Sequence, residues 1–424
     1  MKKFQSPFSE FTSNALTLIT GTTLAQVIPV AISPILTRLY SPEDYGVFAL
    51  FVSIVAILSA FASGKYELAI MLPRRERDAA NILGLTFVLA MVSSAISLGV
   101  LAIFNESISQ VLGNEKIAKW LYVVPGAVFL NCVFLSFSYW ENRQKRYKRL
   151  ALNRVVQSGF TASSNLGIGL GGYGWGLILS SLFGQSVATT ILGRKIWHDD
   201  RHLFSKINFL RMLALSKRYS KFPRISLPNA LLDNIRLLGI NMMITRTFSV
   251  SALGQFSLAW KMVQVPMSLI GGALTQVFFQ RIASAEKWDL YRIIKKYILK
   301  LVLISLPIFI GINLFALDLF IVVFGEKWHL AGEAASVMSI WLFMNFISSP
   351  ITNVFIVLGR QDITLLSSIV YMLAPLLIFF TFSDMGFINV LTIISYTMSA
   401  ILFIYILTAF VFARREQLSV HESN

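Results

Sequence analysis

Apolar runs of about twenty residues recur along most of this chain, and they constrain its fold more than any other feature. The hydrocarbon core of a bilayer is about 30 Å thick, which an α-helix of about 20 apolar residues crosses. Lipid offers no hydrogen-bond partner to exposed backbone, so a spanning chain forms helices or closed barrels. Charged residues make up only 14% of the sequence, against roughly 25% in soluble domains. The sequence therefore predicts an all-α integral membrane protein.

Twelve candidate spans can be placed on the sequence, six in each half of the chain. In the first half they cover residues 14–37, 45–64, 82–104, 120–140, 155–170 and 175–192. In the second half they cover 225–248, 253–279, 297–324, 334–358, 363–382 and 387–412. The amino-terminal segment lacks a short apolar core followed by a small-residue cleavage site, so we expect the first helix to be retained.

The distribution of Lys and Arg predicts the orientation of these spans. With the amino terminus inside, 30 of the 37 cations lie in inward segments and two lie within spans. The outward loops hold the other five, which are Arg38, Lys116, Lys119, Arg246 and Lys327. Because cytoplasmic loops are enriched in Lys and Arg, this bias predicts an even number of spans with both termini cytoplasmic.

A stretch near the start of the chain returns near its middle. LTRLYSPEDYGVFAL at 36–50 matches ITRTFSVSALGQFSL at 244–258, with six identities in fifteen positions at an offset of 208 residues. Apolar sequences can resemble one another by composition, but five of the six identities are not aliphatic. The echo therefore predicts two homologous halves, each opening with a helix, a short polar turn and a second helix.

The longest polar interval runs from Gly193 to Arg224 and carries nine cations. It predicts a six-helix lobe at 1–193, a basic cytoplasmic connection at 194–224, a second six-helix lobe at 225–412 and a cytoplasmic tail at 413–424. Within the connection, apolar residues recur at helix-like spacing between basic residues. They are Ile207, Leu210, Leu213 and Leu215. This pattern indicates an amphipathic helix on an anionic leaflet, with a solvated linker as the alternative.

Motifs of catalysis are mostly missing. No GxxxxGK[ST] phosphate loop is present, which argues against ATP hydrolysis by this chain. HDDRH at 198–202 could contact a metal, but a solvated charged loop is the preferred interpretation. GIGLGGYGWG at 167–176 joins two apolar spans with no preceding strand, which favours a tight outward turn over a dinucleotide site. Cys132 is the single cysteine and can form no intrachain disulfide. We expect no catalytic residue, no metal, no cofactor and no nucleic-acid partner.

The seventh span is the most polar of the twelve. Its polar residues are Asn229, Asp233, Asn234, Arg236 and Asn241. An ionised side chain at a helix centre costs about 2.5 to 3.5 kcal/mol on insertion scales, so these charges should face the bundle interior or water. Asp233 and Arg236 are three residues apart and share a face, where they could pair. Lys261 is a second embedded cation, in a span that also contains Pro266.

The repeat aligns Asn234 with Gln26, so both leading helices carry an amide at one depth. Cations near the leading helix pairs would line a central cavity that suits an anionic, phosphate-bearing head group. They are Arg38, Lys65, Arg236, Arg246 and Lys261. Simpler roles stay open: Arg38 and Arg246 could anchor helix ends by snorkelling, and Lys65 could act in topology. Asp233 could neutralise Arg236 or carry a coupling proton.

Three segments resemble a known family. They are GKYELAIMLP at 64–73, ENRQKRYKRLALNRVVQS at 141–158 and LGQFSLAWKMVQVPMSLIGGALTQVFFQRIA at 253–283. They are similar to bacterial polysaccharide-biosynthesis flippases of the O-antigen translocase type, within the multidrug/oligosaccharidyl-lipid/polysaccharide (MOP) exporter superfamily. The resemblance covers nearly the whole chain, although its motifs are diffuse patterns.

The resemblance implies two six-helix lobes around a central cavity, as in MATE transporters, which opens alternately inward and outward. It implies an undecaprenyl-diphosphate-linked oligosaccharide as cargo and the bacterial inner membrane as location. Asp233, Glu67 or Asp318 could bind a coupling proton or sodium ion. Membrane lipids, a polymerase and other pathway proteins are the potential partners.

Other classes of function stay open. A multidrug-type antiporter shares the fold but usually has an anionic cavity for organic cations. A peptidoglycan-precursor flippase resembles this pattern with two additional helices, for which this chain has no room. A membrane polymerase or glycosyltransferase would carry a sizeable outward loop or a nucleotide-sugar site, whereas every outward loop here is short.

Overall fold

The computed structural model describes residues 7–283, 285 and 289–422, and within them the chain is almost entirely helical, with no strand. Its contacts divide it into two units, Met1–Met242 and Met243–Asn424. The helices of the first unit are α1 (Pro7–Leu39), α2 (Pro42–Ser63), α3 (Tyr66–Ala69), α4 (Glu76–Ile103), α5 (Asn105–Leu112), α6 (Ala118–Leu121), α7 (Val124–Arg143), α8 (Tyr147–Leu170), α9 (Gly176–Phe204) and α10 (Phe209–Arg218).

The division between the units falls within the next helix, α11 (Leu227–Thr247). The second unit continues with α12 (Val250–Ala283), α13 (Leu290–Phe324), α14 (His329–Ser348), α15 (Ile351–Val357), α16 (Gln361–Thr381) and α17 (Phe387–Glu422). The lobe boundaries expected from the polar connection stay a prediction.

Each of the twelve expected spans falls on a long helix. Within the described ranges, twelve helices have 20 residues or more, and the tenth span covers both α14 and α15. Eight segments are long and apolar enough to cross a membrane by length and composition alone, or nine if the bent segment of 115–121 and α7 is one span. Polar residues lower the hydropathy of α8, which begins in a basic loop, and of α11, which contains Asp233 and Arg236. The all-α membrane fold is confirmed, with a span count near twelve.

The repeat in sequence is matched by a repeat in local structure. At the same offset of 208 residues, α1 ends at Leu39 and α11 at Thr247, while α2 begins at Pro42 and α12 at Val250. The Ser41 hydroxyl accepts the Asp44 N–H at 3.2 Å, and the Ser249 hydroxyl accepts the Ala252 N–H at 3.0 Å. Serine at this position satisfies a backbone donor that has no partner within the helix. Each half therefore begins its second helix with an equivalent serine cap.

A second pair of equivalent turns follows later in each half. Short 3-10 turns that begin with Glu-Lys span Glu115–Ile117 and Glu326–Trp328. The first is tied to the start of α2 by an ion pair between Lys116 and Glu43 at 2.9 Å. The second is tied to α12, because Gln255 donates to the Lys327 carbonyl at 2.6 Å and accepts the Ala331 N–H at 3.0 Å. In each half the 3-10 turn is thus tied to the second helix of that half, by an ion pair in the first and by hydrogen bonds in the second.

Small residues allow α1, α8 and α9 to pack closely. Tyr40 is fully buried at the end of α1, and its hydroxyl donates to the Asn165 carbonyl of α8 at 2.7 Å. A Cβ on Gly169 would lie 2.9 Å from the Tyr40 ring, and one on Gly176 would overlap the Tyr40 hydroxyl. The glycine-rich run at 167–176 contains the expected turn, which covers 171–175 between α8 and α9 and in which Gly172 has φ +76°. Its glycines also make room for Tyr40.

The interpretation of HDDRH at 198–202 as a solvated loop is wrong. These residues belong to α9, and Asp200 is buried, where it accepts hydrogen bonds from the Trp140 indole at 2.9 Å and from Arg146 at 2.8 Å. Arg149 pairs with Asp199 at 2.9 Å. Part of the basic sequence after α7 therefore forms an ion-pair network with α9. A turn that requires a left-handed residue at Lys145, φ +56°, brings the arginines there.

Candidate functional site

The segment between α2 and α4 contains two of the expected site residues, Lys65 and Glu67. Gly64 and Lys65 have φ of +54° and +61°, so the chain turns sharply after α2. A left-handed conformation is uncommon for a residue with a Cβ and costs free energy. The turn brings Lys65 Nζ within 3.8 Å of Glu67 Oε1. It therefore places a cation and a carboxylate side by side at the end of the second span.

Glu67 is almost completely buried, with 2% of its surface exposed. Its second oxygen, Oε2, has no hydrogen-bond partner among the described residues. Tyr139 and Cys132 of α7 lie within electrostatic range of this carboxylate. A buried carboxylate is costly unless it is paired or protonated. Glu67 is thus a buried carboxylate that is paired through one oxygen with Lys65 and has a second oxygen that no described residue satisfies.

Arg143 holds the chain that follows Glu67. Its guanidinium donates to the Ile70 carbonyl at 3.1 Å and to the Pro73 carbonyl at 2.7 Å, and it lies 3.6 Å from Glu76. Charge-assisted bonds of this kind are the stronger hydrogen bonds in proteins. The α2–α4 segment is therefore fixed to the end of α7.

Tyr66 connects the same segment to α10. Its hydroxyl donates to the Ser216 carbonyl at 2.9 Å. Burial raises the pKa of the Tyr66 phenol above its ordinary value, and nearby Arg224 only partly offsets this. The phenol therefore stays protonated at physiological pH and remains a hydrogen-bond donor. Lys65 and Glu67 are consequently held between α7 and the amphipathic α10.

α11 presents the second group of expected residues. Arg236 Nη2 lies 3.6 Å from Asp233 Oδ1, as the spacing of three residues allows. The Arg236 side chain is 13% exposed, whereas that of Asp233 is 76% exposed. Asn234 is half-buried. Asn241 is buried and donates to the Ser53 hydroxyl of α2 at 2.7 Å.

The other expected residues are distributed over both units. In the first unit, Gln26 is half-buried on α1 and Arg38 is exposed near its end. In the second unit, Arg246, Lys261 and Asp318 are exposed. The structure brings together Lys65 with Glu67 and Asp233 with Arg236. The membership of all these residues in one binding site stays a prediction.

Polar groups on α8 and α9 were missed by the sequence analysis. Arg154 donates to the Thr22 hydroxyl of α1 at 2.6 Å, and the side-chain amides of Gln157 and Gln185 bond to each other. Asn153 is 3% exposed, and neither atom of its amide has a partner in the described part of the chain. The available signal was the spacing of Arg154 and Gln157, one helical turn apart. It was overlooked because the fifth span was expected to begin only at 155, whereas α8 begins at Tyr147.

Solved structures define the class to which this fold belongs. The lipid II flippase MurJ, in an inward closed conformation, matches with a TM-score of 0.74 at 11% identity, over 96% of this chain and 93% of that one. An inward-facing multidrug resistance MATE transporter of the MOP superfamily matches with a TM-score of 0.71 at 15% identity, over 96% of both chains. A MOP superfamily transporter from Pyrococcus furiosus has a TM-score of 0.63 at 15% identity, over 96% of both chains. The chain has the fold of the MOP superfamily, and these relatives are transporters and a flippase, not enzymes.

The family is defined by sequence. Residues 35–333 match the model of the polysaccharide biosynthesis protein family, so the chain, a multi-pass membrane protein, belongs to that family. A 177-residue segment is 28% identical to the teichuronic acid biosynthesis protein TuaB of Bacillus subtilis. That segment spans 40% of this chain and only 34% of TuaB.

Proposed function

We propose that this protein is a flippase that moves an undecaprenyl-diphosphate-linked oligosaccharide from the cytoplasmic to the outer leaflet of the bacterial inner membrane. The observation that carries the proposal is that a polysaccharide biosynthesis protein has, over 96% of its length, the fold of a lipid flippase. A lipid-linked saccharide is the class of cargo that is both an intermediate of saccharide biosynthesis and a lipid that a flippase could translocate. The cargo would be an O-antigen or another polysaccharide repeat unit.

The cations on the leading helices are the proposed ligands of the diphosphate. Arg236 supports this most directly, because its side chain is 13% exposed in a helix of the membrane domain while its partner Asp233 is mostly exposed. An embedded arginine is costly and marks a functional position by default. Arginine and lysine are the side chains that bind phosphate oxygens best. Arg38, Lys65, Arg246 and Lys261 are assigned the same role, and the amides of Gln26 and Asn234 would bind sugar hydroxyls.

Transport in one direction requires that the inward-open and outward-open states differ in affinity for the cargo or for a coupling ion. Three carboxylates were candidates for binding such an ion. Of the three we favour Glu67 for this role because it is buried, whereas Asp233 and Asp318 are exposed. We therefore assign Glu67 as the group that binds a proton or a sodium ion during alternating access. Pathway enzymes such as a polymerase would receive the cargo at the outer leaflet, and both chain termini would lie in the cytoplasm.

The test is a translocation assay with the purified full chain in vesicles. A lipid-linked oligosaccharide with a fluorescent sugar is incorporated, and its arrival in the outer leaflet is measured as quenching by a membrane-impermeant reductant. We expect Arg236→Gln to lower the rate at least tenfold and Arg236→Lys to retain part of it. Lys119→Gln changes an exposed cation of the short helix α6, before α7, and should leave the rate unchanged.

Two results would overturn the proposal. If Arg236→Gln translocates at the wild-type rate, the embedded cation has no part in cargo binding. If the wild type moves an organic cation but not the lipid-linked sugar, the protein is an antiporter of the multidrug type. Mass analysis of the recovered glycan gives a further check, because a polymerase or glycosyltransferase would change its chain length and a flippase would not.

A further inference from the structure

The first unit contains an apolar pocket that the proposed transport does not use. It has a volume of about 360 Å³ and lies between α4, α7, α9 and the segment that leads into α10. Its wall includes Leu83, Phe87, Val133, Phe137, Ile196 and Met212. Trp197 is 64% exposed at its edge, where the indole stacks on Phe204 with ring centroids 6.0 Å apart.

Two glycines leave the pocket open. A Cβ on Gly84 would lie 3.2 Å from Ile207 Cγ2, and one on Gly193 would lie 3.0 Å from Phe137 Cε2. Contacts this short force the neighbouring groups to move. Any larger side chain at either position would therefore occupy the space that the pocket provides.

Three exposed cations flank the pocket. Arg194 and Arg201 are seven residues apart, so they form one row along α9, beside the face that carries Trp197. Lys206 precedes the lining residue Ile207. All three are exposed, and none forms an ion pair within the described ranges. In contrast, Arg211 of α10 is paired with Asp78 at 2.5 Å. The rim therefore carries positive charge that no ion pair among the described residues offsets.

α10 indicates the depth at which the pocket lies. Met212 and Leu215 are buried against the unit, whereas Phe209, Leu210 and Leu213 are 69%, 73% and 46% exposed. A short helix with an exposed apolar face and basic residues is typical of the boundary between head groups and acyl chains. The pocket and its basic rim consequently lie where a lipid of that leaflet presents its phosphate and the start of its acyl chains.

We propose that this pocket binds an anionic phospholipid, with one acyl chain inside it and the phosphate on Arg194, Arg201 and Lys206. Basic pockets between membrane helices on the cytoplasmic side are known to bind anionic head groups. The volume is in the range of sites for small ligands and is large enough for part of one acyl chain. The site would anchor α10, and through Tyr66 it would steady the segment that contains Glu67. The proposal does not depend on the transported cargo.

Quenching of Trp197 by brominated acyl chains tests this site. The full chain is reconstituted in vesicles of phosphatidylcholine that contain a minor fraction of brominated phosphatidylglycerol or of brominated phosphatidylcholine. The contribution of Trp197 is the difference between the wild type and Trp197→Phe. We expect stronger quenching of Trp197 by the brominated anionic lipid, with half-maximal quenching at a lower fraction of that lipid.

Two kinds of variant separate charge from shape. Arg194→Gln and Arg201→Gln should each raise the fraction of anionic lipid needed for half-maximal quenching about fivefold. Lys148→Gln, an exposed cation of the same basic end that does not line the pocket, should change nothing. Gly193→Leu should abolish the quenching with all charges in place. The two arginines are on the surface, so their variants should fold. The test therefore stands even if Gly193→Leu, which fills the pocket, fails to fold.

Equal quenching by the two brominated lipids would overturn the proposal. So would an anionic preference that survives the double substitution of Arg194 and Arg201, since the rim would then not be the site of the phosphate. Quenching that Trp197→Phe leaves unchanged would place the acyl chain elsewhere on the protein, with the same consequence.

Discussion

Lys65 Nζ lies 3.8 Å from Glu67 Oε1, on a turn where Lys65 itself has a left-handed backbone. The pair is unequal, because the lysine side chain is 24% exposed and the glutamate side chain is 3% exposed. The lysine can therefore exchange its partner for solvent, whereas the carboxylate depends on what reaches it inside the protein. A backbone held in a sparsely populated conformation at such a pair is a frequent property of functional sites.

Substitution Glu67→Gln should separate ion coupling from folding. Glutamine keeps the shape and can fill the buried position, so we expect the variant to fold and to exchange cargo between leaflets passively. We expect the component of transport that an imposed proton or sodium gradient drives to fall at least tenfold, because the neutral amide cannot take up a proton and offers a sodium ion no negative charge. The measurement is the vesicle assay with and without a gradient.

The matched control for this prediction is Glu76→Gln. Glu76 lies at the same end of the unit and near Arg143, but its side chain is 47% exposed. It should transport as the wild type does. Gradient-driven transport by Glu67→Gln at the wild-type rate would exclude Glu67 as the coupling group.

Substitution Gly176→Ala should destabilise the protein. The added Cβ would overlap the Tyr40 hydroxyl, and Tyr40 cannot move freely because it is fully buried and bonded to Asn165. Overpacking of this kind costs about 1–3 kcal/mol. Gly167→Ala is the control, since nothing lies within 4 Å of its added Cβ and alanine favours a helix. Thermal unfolding in detergent should show a lower transition temperature for Gly176→Ala only, and equal temperatures would contradict the tight packing of α1 on α9.

Substitution Arg146→Ala should disrupt the ion-pair network between the α7–α8 turn and α9. Arg146 donates to both oxygens of Asp200, at 2.8 and 2.9 Å, and to Glu141 at 3.1 Å. Glu141 is fully buried, so its charge would lose a partner that water cannot replace. Breaking a buried pair costs about 3–5 kcal/mol, and the 25% exposure of the Arg146 side chain reduces this to about 2–3 kcal/mol.

Chemical unfolding in mixed micelles measures this loss, with Lys148→Ala as the control. Lys148 is exposed in the same basic sequence and should have no measurable effect. If both variants unfold together with the wild type, the basic sequence acts in topology alone.

The sequence was sufficient for features that depend on local pattern. Hydrophobic runs of the right length predicted the twelve long helices, and the repeated stretch predicted the helix, turn and second helix that open each half, where Ser41 and Ser249 cap the second helix. Serine capping requires only residues that are three positions apart, so a single stretch contains the whole signal. The positions of the glycine turn and of the amphipathic α10 followed for the same reason.

Features that depend on distant residues were not accessible in this way. Asp200 resembles part of a solvated loop until Trp140 and Arg146 surround it, and those residues lie more than 50 positions away. The partner of Arg154 is Thr22, 132 positions away. Polar residues within spans were expected to face water or an interior cavity. No local pattern distinguishes a polar residue that faces a cavity from one that forms a hydrogen bond to another helix. The burial of Glu67 was not accessible either, because the local sequence around Lys65 and Glu67 does not show which of the two side chains is buried.

The hydrogen bond from Asn241 of α11 to Ser53 of α2 should contribute measurably to stability. It joins residues 188 positions apart at 2.7 Å within the membrane domain, where water is a poor competitor. Interhelical hydrogen bonds in membrane proteins average about 0.6 kcal/mol in double-mutant cycles. A cycle of Asn241→Ala, Ser53→Ala and the double variant, followed by unfolding in mixed micelles, should therefore give a coupling energy of about 0.6 kcal/mol. In a control cycle, Ser94→Ala replaces Ser53→Ala, and the two effects should add because the Ser94 hydroxyl has no hydrogen-bond partner among the described residues. If the first cycle is as additive as the control, the bond does not hold α11 against α2, and the position of Arg236, five residues earlier on the same helix, must be fixed by other contacts.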